Sequence, residues 1–252
     1  MRSGVSAAAS LAACRSGERQ RVRWSHAWPV LLRPTGDDQV HLVHGAGGPL
    51  GGDSLSLAVD VGAGAGLRVR SAGATLVQPG LGDDPACWEN TLTVGAGGRL
   101  DWAPEPTIIA DGAAFDTRLR LDVAAGGRAL LREIVVLGRH GGRGGRYRGE
   151  LSVEVEGVTL LAHTTLLDGA DESLCGPAGT AGARAVGTLL LVGDADGPDG
   201  SGERLGLRWA WSALDGPGRV LLAVGDTGPV TAILAEAAAA HSTPALPALH
   251  RA

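Results

Sequence analysis

Val94-Gly95-Ala96-Gly97-Gly98-Arg99-Leu100 has two near copies in the chain, Val61-Gly62-Ala63-Gly64 ahead of Leu67 and Val123-Ala124-Ala125-Gly126-Gly127-Arg128 ahead of Ala129-Leu130. Each copy is a run of small residues between two stretches in which apolar residues recur at every second position. That alternation is the mark of a strand with one buried and one wet face. Glycine suits the intervening turns because positive φ costs it little. The unit is therefore strand, small-residue turn, strand, returning after roughly thirty residues. A two-strand unit cannot cover its own apolar face, so successive copies should stack. The expected fold is all-β, a layered β-sandwich or β-helix-like body of stacked two-strand units.

Other segments fit the same plan. Ser54-Leu55-Ser56-Leu57-Ala58-Val59-Asp60-Val61, Leu119-Arg120-Leu121-Asp122-Val123 and Leu151-Ser152-Val153-Glu154-Val155-Glu156 alternate cleanly. Leu130 to Leu137 and Leu189 to Val192 are more continuously apolar, as central strands covered on both faces would be. Only Pro229 to Ala240 reads as a helix, with Pro near its start and strong helix formers after it. The Gly/Asp-rich segment Gly193 to Glu203 is expected to be an exposed loop, and the Pro-interrupted tail Thr243 to Ala252 to be loose. We take residues 1–252 as a single domain, with a body over about 33–225 and a helix and tail over 226–252.

Composition removes several function classes. The 252 residues are 44% hydrophobic, enough for a sizeable core, but only 3% aromatic. Every basic residue is Arg, so no Walker lysine, Schiff-base lysine or Ser-x-x-Lys pair exists. A net charge of -5 disfavours nucleic acid as a partner. Cys14, Cys87 and Cys175 form no CxxC and read as reduced thiols of a cytoplasmic protein. Leu11-Ala12-Ala13-Cys14 spells a lipoprotein-like box, but the preceding stretch is barely apolar and fits a signal peptide poorly. No segment is long and apolar enough for a membrane-spanning helix.

Few constellations ask for chemistry. Gly45-x-Gly47 has Leu50 where a dinucleotide loop needs its third Gly, and a strand follows in place of a helix. The run ends in Asp53, whose carboxylate either caps a sharp loop or serves a ligand path; the two roles are compatible. His41 and His44 lie three apart on a strand and so face opposite ways, which argues against a shared metal ion. Arg139, Arg143, Arg146 and Arg148, with His140, crowd the Gly-rich stretch 138–149. They form either a solvated hairpin tip or a docking patch for an acidic protein surface. Trp102-Ala103-Pro104-Glu105-Pro106-Thr107 reads as a stiff loop hung on a buried ring, with Asp111 following. No linear Ser/His/Asp, Cys/His, G-x-S-x-G or H-E-x-x-H arrangement is present, so an enzyme is not expected.

Taken in order, these landmarks resemble the urease accessory protein family UreD, also called UreH. They are Gly47-Gly48-Pro49-Leu50-Gly51-Gly52-Asp53 with Leu55, Ala72-Gly73-Ala74-Thr75, Leu100-Asp101-Trp102-Ala103-Pro104-Glu105-Pro106-Thr107-Ile108, Asp111-Gly112-Ala113, and Val135-Val136-Leu137-Gly138-Arg139. Leu174 to Ala178 followed by Gly187-Thr188-Leu189-Leu190 completes the series. The resemblance implies a cytoplasmic scaffold that joins urease apoprotein to UreF and to the GTPase UreG, and that passes nickel through an interior channel. Such a channel should carry scattered oxygen ligands, since a closed His/Cys cage would trap the ion. On that reading Asp53, Glu105 and Asp111 are the candidate nickel path, with nickel in transit and not a held cofactor. Where many relatives carry Gly-Glu and an aromatic, this chain has Gly142-Arg143-Gly144-Gly145-Arg146-Tyr147, so that carboxylate is missing unless Glu150 substitutes. The competing class is a β-sandwich binding module for a sugar or small ligand, unrelated to urease, with Trp24, Trp28, Trp209 and Trp211 as its rings.

Overall fold

The computed structural model describes residues 4–139, 141–193 and 196–241. The chain enters as two hairpins, β1 (Ser6–Ser16) with β2 (Arg19–His26) and β3 (Val30–Pro34) with β4 (Gln39–His44). It then coils. β5 (Ser54–Val61) leads to β6 (Gly66–Ser71) and β7 (Thr75–Val77), and β8 (Ala86–Val94) leads to β9 (Arg99–Trp102) and β10 (Thr107–Ile109). The third coil is β11 (Ala114–Val123) and β12 (Arg128–Leu137), followed by the hairpin β13 (Arg146–Val155) and β14 (Val158–Asp168). β15 (Ala185–Val192), β16 (Gly200–Arg204), β17 (Leu207–Ala213), β18 (Gly218–Gly225) and helix α1 (Thr227–His241) complete the order.

Two sheets result. Sheet A has seven strands in the order β14-β13-β11-β8-β5-β1-β2; sheet B runs β16-β17-β18-β15-β12-β9-β6-β4-β3, with β7 and β10 beside it. The coiled strands pair in parallel, as a solenoid requires: β5, β8, β11 and β13 on one sheet and β4, β6, β9 and β12 on the other. The fold is all-β and layered, with a single C-terminal helix, as the turn repeat implies.

The three glycine turns lie directly over one another. Gly64, Gly97 and Gly126 take φ of 64°, 64° and 66°, a conformation that L side chains resist. Successive copies are tied by Gly95 N–H to Val61 O at 2.7 Å and Ala124 N–H to Val94 O at 2.8 Å. Register follows from these turns, since Val61, Val94 and Val123 sit side by side and all point inward.

Between the sheets lies one apolar core, built from the inward positions of both, Leu11, Leu57, Leu92, Leu121, Leu67, Leu100 and Leu131 among them. Each such Leu contributes about 1.5–3 kcal/mol by leaving water. Ala7, Ala9, Leu11 and Ala13 of β1 belong to this core, so the residues around Cys14 form part of sheet A. A second cluster lies on the outer face of sheet B under α1, where Val230 and Leu234 rest on Leu189, Leu221 and Ala223. Gly187 makes that seat: a Cβ there would stand 2.4 Å from Leu234 and 2.7 Å from Val230. β12 and β15 are thus covered on both faces, which is why their sequences are continuously apolar.

Segment 193–203 differs from the expected loop. It turns into the edge strand β16, because Asp199 accepts the Ala213 N–H at 2.7 Å and buried Arg219 donates to the Asp196 carbonyl, drawing the segment against β17. The tail from Thr243 and His140 lie outside the described residues. No described helix is long and apolar enough to cross a membrane.

Candidate functional site

Parity along β12 locates an unexpected group. Leu131, Val135 and Leu137 belong to the core between the sheets, whereas Leu130, Ile134 and Val136 belong to the cluster under α1. Glu133 shares its parity with the first set, so its side chain enters the space between the sheets. Burial raises its carboxyl to about 7. Tyr147, buried and facing it from sheet A, feels that carboxylate: burial first and the Glu133 charge second push the phenol up.

Glu133 is the centre of a line of polar groups that crosses the stack through the apolar core. In sheet A, Trp88, Thr117, Gly149 and Thr165 stand in register on neighbouring strands. The indole N–H of Trp88 donates to Asn90 Oδ1 at 2.9 Å, Thr117 Oγ1 meets Tyr147 Oη at 3.1 Å, and Thr165 Oγ1 meets His163 Nε2 at 3.1 Å. Gly149 makes room for the phenol, since a Cβ there would lie 2.2 Å from Tyr147 Oη. In sheet B, Thr188 is buried opposite Glu133 in the β12–β15 register. Towards the start of the stack His44 lies edge-on to Trp88 with ring centroids 5.2 Å apart and bonds Thr75 Oγ1 at 2.9 Å. Burial lowers the His44 pKa, so at neutral pH it is an uncharged ring with a lone pair. Trp102 Nε1 is buried in the same layer without a hydrogen-bond partner among the described residues.

Chemically, this line offers one carboxylate, two imidazoles and several hydroxyls, spread out and not gathered. Among the described residues no three His, Cys, Asp or Glu come close enough to hold a metal ion together. The arrangement suits successive weak contacts with a hydrated divalent cation more than a resident one.

The carboxylates expected from sequence occupy other settings. Asp53 is buried at the end of the stack where β5 begins; its Oδ1 accepts the Val5 N–H at 2.7 Å and its Oδ2 the Leu50 N–H at 2.9 Å. It ties the strand leading into β1 to the glycine loop. Asp111, exposed, accepts the Gly144 N–H at 2.7 Å and so pins the Arg-rich loop. Glu105 stands on the outer side of sheet B, 3.9 Å from Arg132 and near the bidentate Arg70–Asp101 pair. The structure does not gather these three. Glu150 projects outward, held by Arg118 at 2.9 Å and by Arg148, and does not enter the line.

Arg139, Arg143, Arg146 and Arg148 are all exposed. Arg184 binds the Leu137 and Arg139 carbonyls, so with Asp111 it holds the loop from both sides. Of the four, Arg148 already has a carboxylate partner in Glu150. His41 bonds Thr35 on the outside while His44 faces in, as their spacing requires. Trp24 and Trp28 are exposed, but Trp211 is covered by Arg219 at 4.9 Å and is no free platform for a sugar.

Comparison with known proteins adds the family. Residues 5–251 match the model of the UreD urease accessory protein family. The urease accessory protein UreD of Frankia alni is 40% identical over 203 residues, 74% of this chain and 68% of that protein. That of Parafrankia sp. is 38% identical over 224 residues, covering 79% and 75% of the two chains. That of Streptomyces avermitilis is 36% identical over 200 residues, covering 75% and 79%. With a stacked all-β body, an interior polar line and a family match over nearly its whole length, this chain belongs to the UreD family of urease accessory proteins.

Proposed function

We propose that this accessory protein joins urease apoprotein to UreF and UreG in the cytoplasm, and that nickel crosses it along the polar line between the sheets. The observation that carries the reading is Glu133, a lone carboxylate directed into an otherwise apolar layer with His44, Thr117, Tyr147, Thr165 and His163 strung to either side. A bare carboxylate in a core is costly unless it does something there. Nickel is the cargo and not a cofactor. At neutral pH Glu133 divides between its acid and its anion, so an arriving cation can displace the proton and a returning proton can release the cation. Scattered ligands keep each stop shallow.

The test is urease activation at limiting nickel with Glu133→Gln, which keeps shape and loses charge. Activity and nickel content of the urease should both fall about tenfold or more, while the complex with UreF and the apoprotein stays intact. Full activation at limiting nickel would exclude Glu133 from the path.

A further inference from the structure

The two edges of sheet A are managed in opposite ways. An open edge presents unpaired N–H and C=O groups to any strand that arrives, and proteins blunt such edges with charge. β2 follows that rule, with Arg19, Arg21 and Arg23 exposed along it. β14 does not. Its eleven residues, Val-Thr-Leu-Leu-Ala-His-Thr-Thr-Leu-Leu-Asp, contain no charged side chain before Asp168, and Val158 and Leu166 are 70% and 65% exposed. Among the described residues β14 pairs with β13 alone.

Sheet B, meanwhile, runs on. Past β15 it adds β18, β17 and β16, and on the face away from α1 Leu222 is 39% exposed. The next strand position in sheet A, beside β14 and above this surface, is vacant. A strand seated there would gain the main-chain bonds of β14 and cover Leu166 and Leu222 together.

We propose that β14 receives an extended segment of a different protein, uncharged and apolar at alternate positions and basic at its flanks, which completes sheet A at the end of the stack where His163 and Thr165 terminate the polar line. Charge decides the occupant. Both ends of β14 are acidic, with Glu156 in the turn before it and Asp168, Asp171 and Glu172 after it. Two copies of this chain pairing antiparallel about His163 would set the Glu156 turn of each against the Asp168–Glu172 turn of the other, which like-charge repulsion opposes. A basic-flanked segment meets the same two clusters favourably.

The inference rests on the reading that this chain works within the urease maturation complex, but its test needs no nickel. Amide hydrogen exchange is measured on the full chain alone and in its purified complex with urease apoprotein and UreF. Amides of 158–168 should slow by about tenfold or more in the complex, with those of β2 unchanged. Leu166→Lys and the double variant Asp171→Arg/Glu172→Arg, both on exposed positions, should each weaken the complex about tenfold without lowering the melting temperature. Unchanged exchange in 158–168 overturns the proposal. So does slowing in the isolated chain with concentration, which would mean self-pairing. Loss of exchange protection with normal activation, or the reverse, separates this docking from nickel passage.

Discussion

Glu133 of β12 and Tyr147 of β13 face each other across the two sheets, close enough that the carboxylate charge raises the phenol's pKa. Neither residue has an ion-pair partner there: the known neighbour of the phenol is the Thr117 hydroxyl at 3.1 Å. An acid held this way stays protonated at a pH where an exposed one has long ionised.

Stability should therefore depend on pH with a definite sign. The folded Glu133 titrates near 7 and the unfolded one near 4.5. Between those values the folded state binds the extra proton, so stability is greatest below the lower value and falls as pH rises towards the upper one. Above about pH 7 the penalty is complete and is of order 1–3 kcal/mol, since the carboxyl is not wholly sealed from water. Glu133→Gln should remove that slope and be more stable than the parent at pH 8. Chemical denaturation at pH 5, 6, 7 and 8 measures it. Parallel curves for the two proteins would mean the carboxyl is hydrated and titrates normally.

Gly149→Ala should be costly although glycine has left a strand. The new methyl would stand 2.2 Å from Tyr147 Oη and 2.7 Å from its Cζ, so the ring must turn out of the polar line. We expect a loss of about 1–3 kcal/mol and a lower melting temperature. Because the ring carbon clashes as well as the oxygen, Tyr147→Phe should not rescue it. A melting temperature equal to the parent's would place the phenol elsewhere.

Much of the architecture was legible from the three glycine turns, because a repeated turn with obligatory positive φ dictates both spacing and register. The central position of β12 and β15 was legible for a similar reason: continuous apolarity means two covered faces. Glu133 was missed in the same place. In Leu130-Leu131-Arg132-Glu133-Ile134 it sits beside Arg132, and the pair reads as ordinary charge at a strand's middle. The signal was there in parity, since Arg132 and Glu133 must point to opposite faces and neither face of this strand is wet. Arg132 answers with the Ala103 and Pro104 carbonyls, and Glu133 has no such answer. The line through Trp88, Thr117, Gly149 and Thr165 was beyond sequence reading, because lateral register between coils depends on loop lengths that only the folded chain fixes.

Asp53→Asn tests how far a carboxylate can be both structural and functional. Both oxygens accept backbone N–H groups, from Val5 and Leu50. An amide keeps one acceptor and sets its own NH2 against the other N–H, so the loss should be about 1–3 kcal/mol. The damage should be local, with faster amide exchange over 5–16. If urease activation falls only in proportion to that loosening, Asp53 acts by anchoring β1. A larger fall at limiting nickel, with β1 exchange unchanged, would return it to the nickel path.

Asp111 separates the two roles that its neighbourhood suggests, nickel ligand and support for a docking loop. It is exposed, and its Oδ1 holds the Gly144 N–H at 2.7 Å, between Arg143 and Arg146. Asp111→Ala should free that loop while leaving every arginine in place. The triple change Arg143→Ser, Arg146→Ser and Arg148→Ser does the opposite, removing charge from a loop still pinned. If the loop docks on an acidic partner, the triple variant should slow association at low salt and flatten its salt dependence. Most of that effect should come from Arg143 and Arg146, because Glu150 already neutralises Arg148. Asp111→Ala should instead weaken the complex with an unchanged salt dependence, since the charges remain and only their fixed arrangement is lost. Folding should move by less than about 0.5 kcal/mol in the triple variant, as expected for exposed positions. Association rates of the three proteins with the urease apoprotein complex, taken across a salt series, distinguish the cases. Should Asp111→Ala associate normally yet fail to activate urease at limiting nickel, its carboxylate serves the metal and the loop's order is incidental. Equal association for all three proteins at low salt would make the arginines a solvated tip and leave docking to other faces.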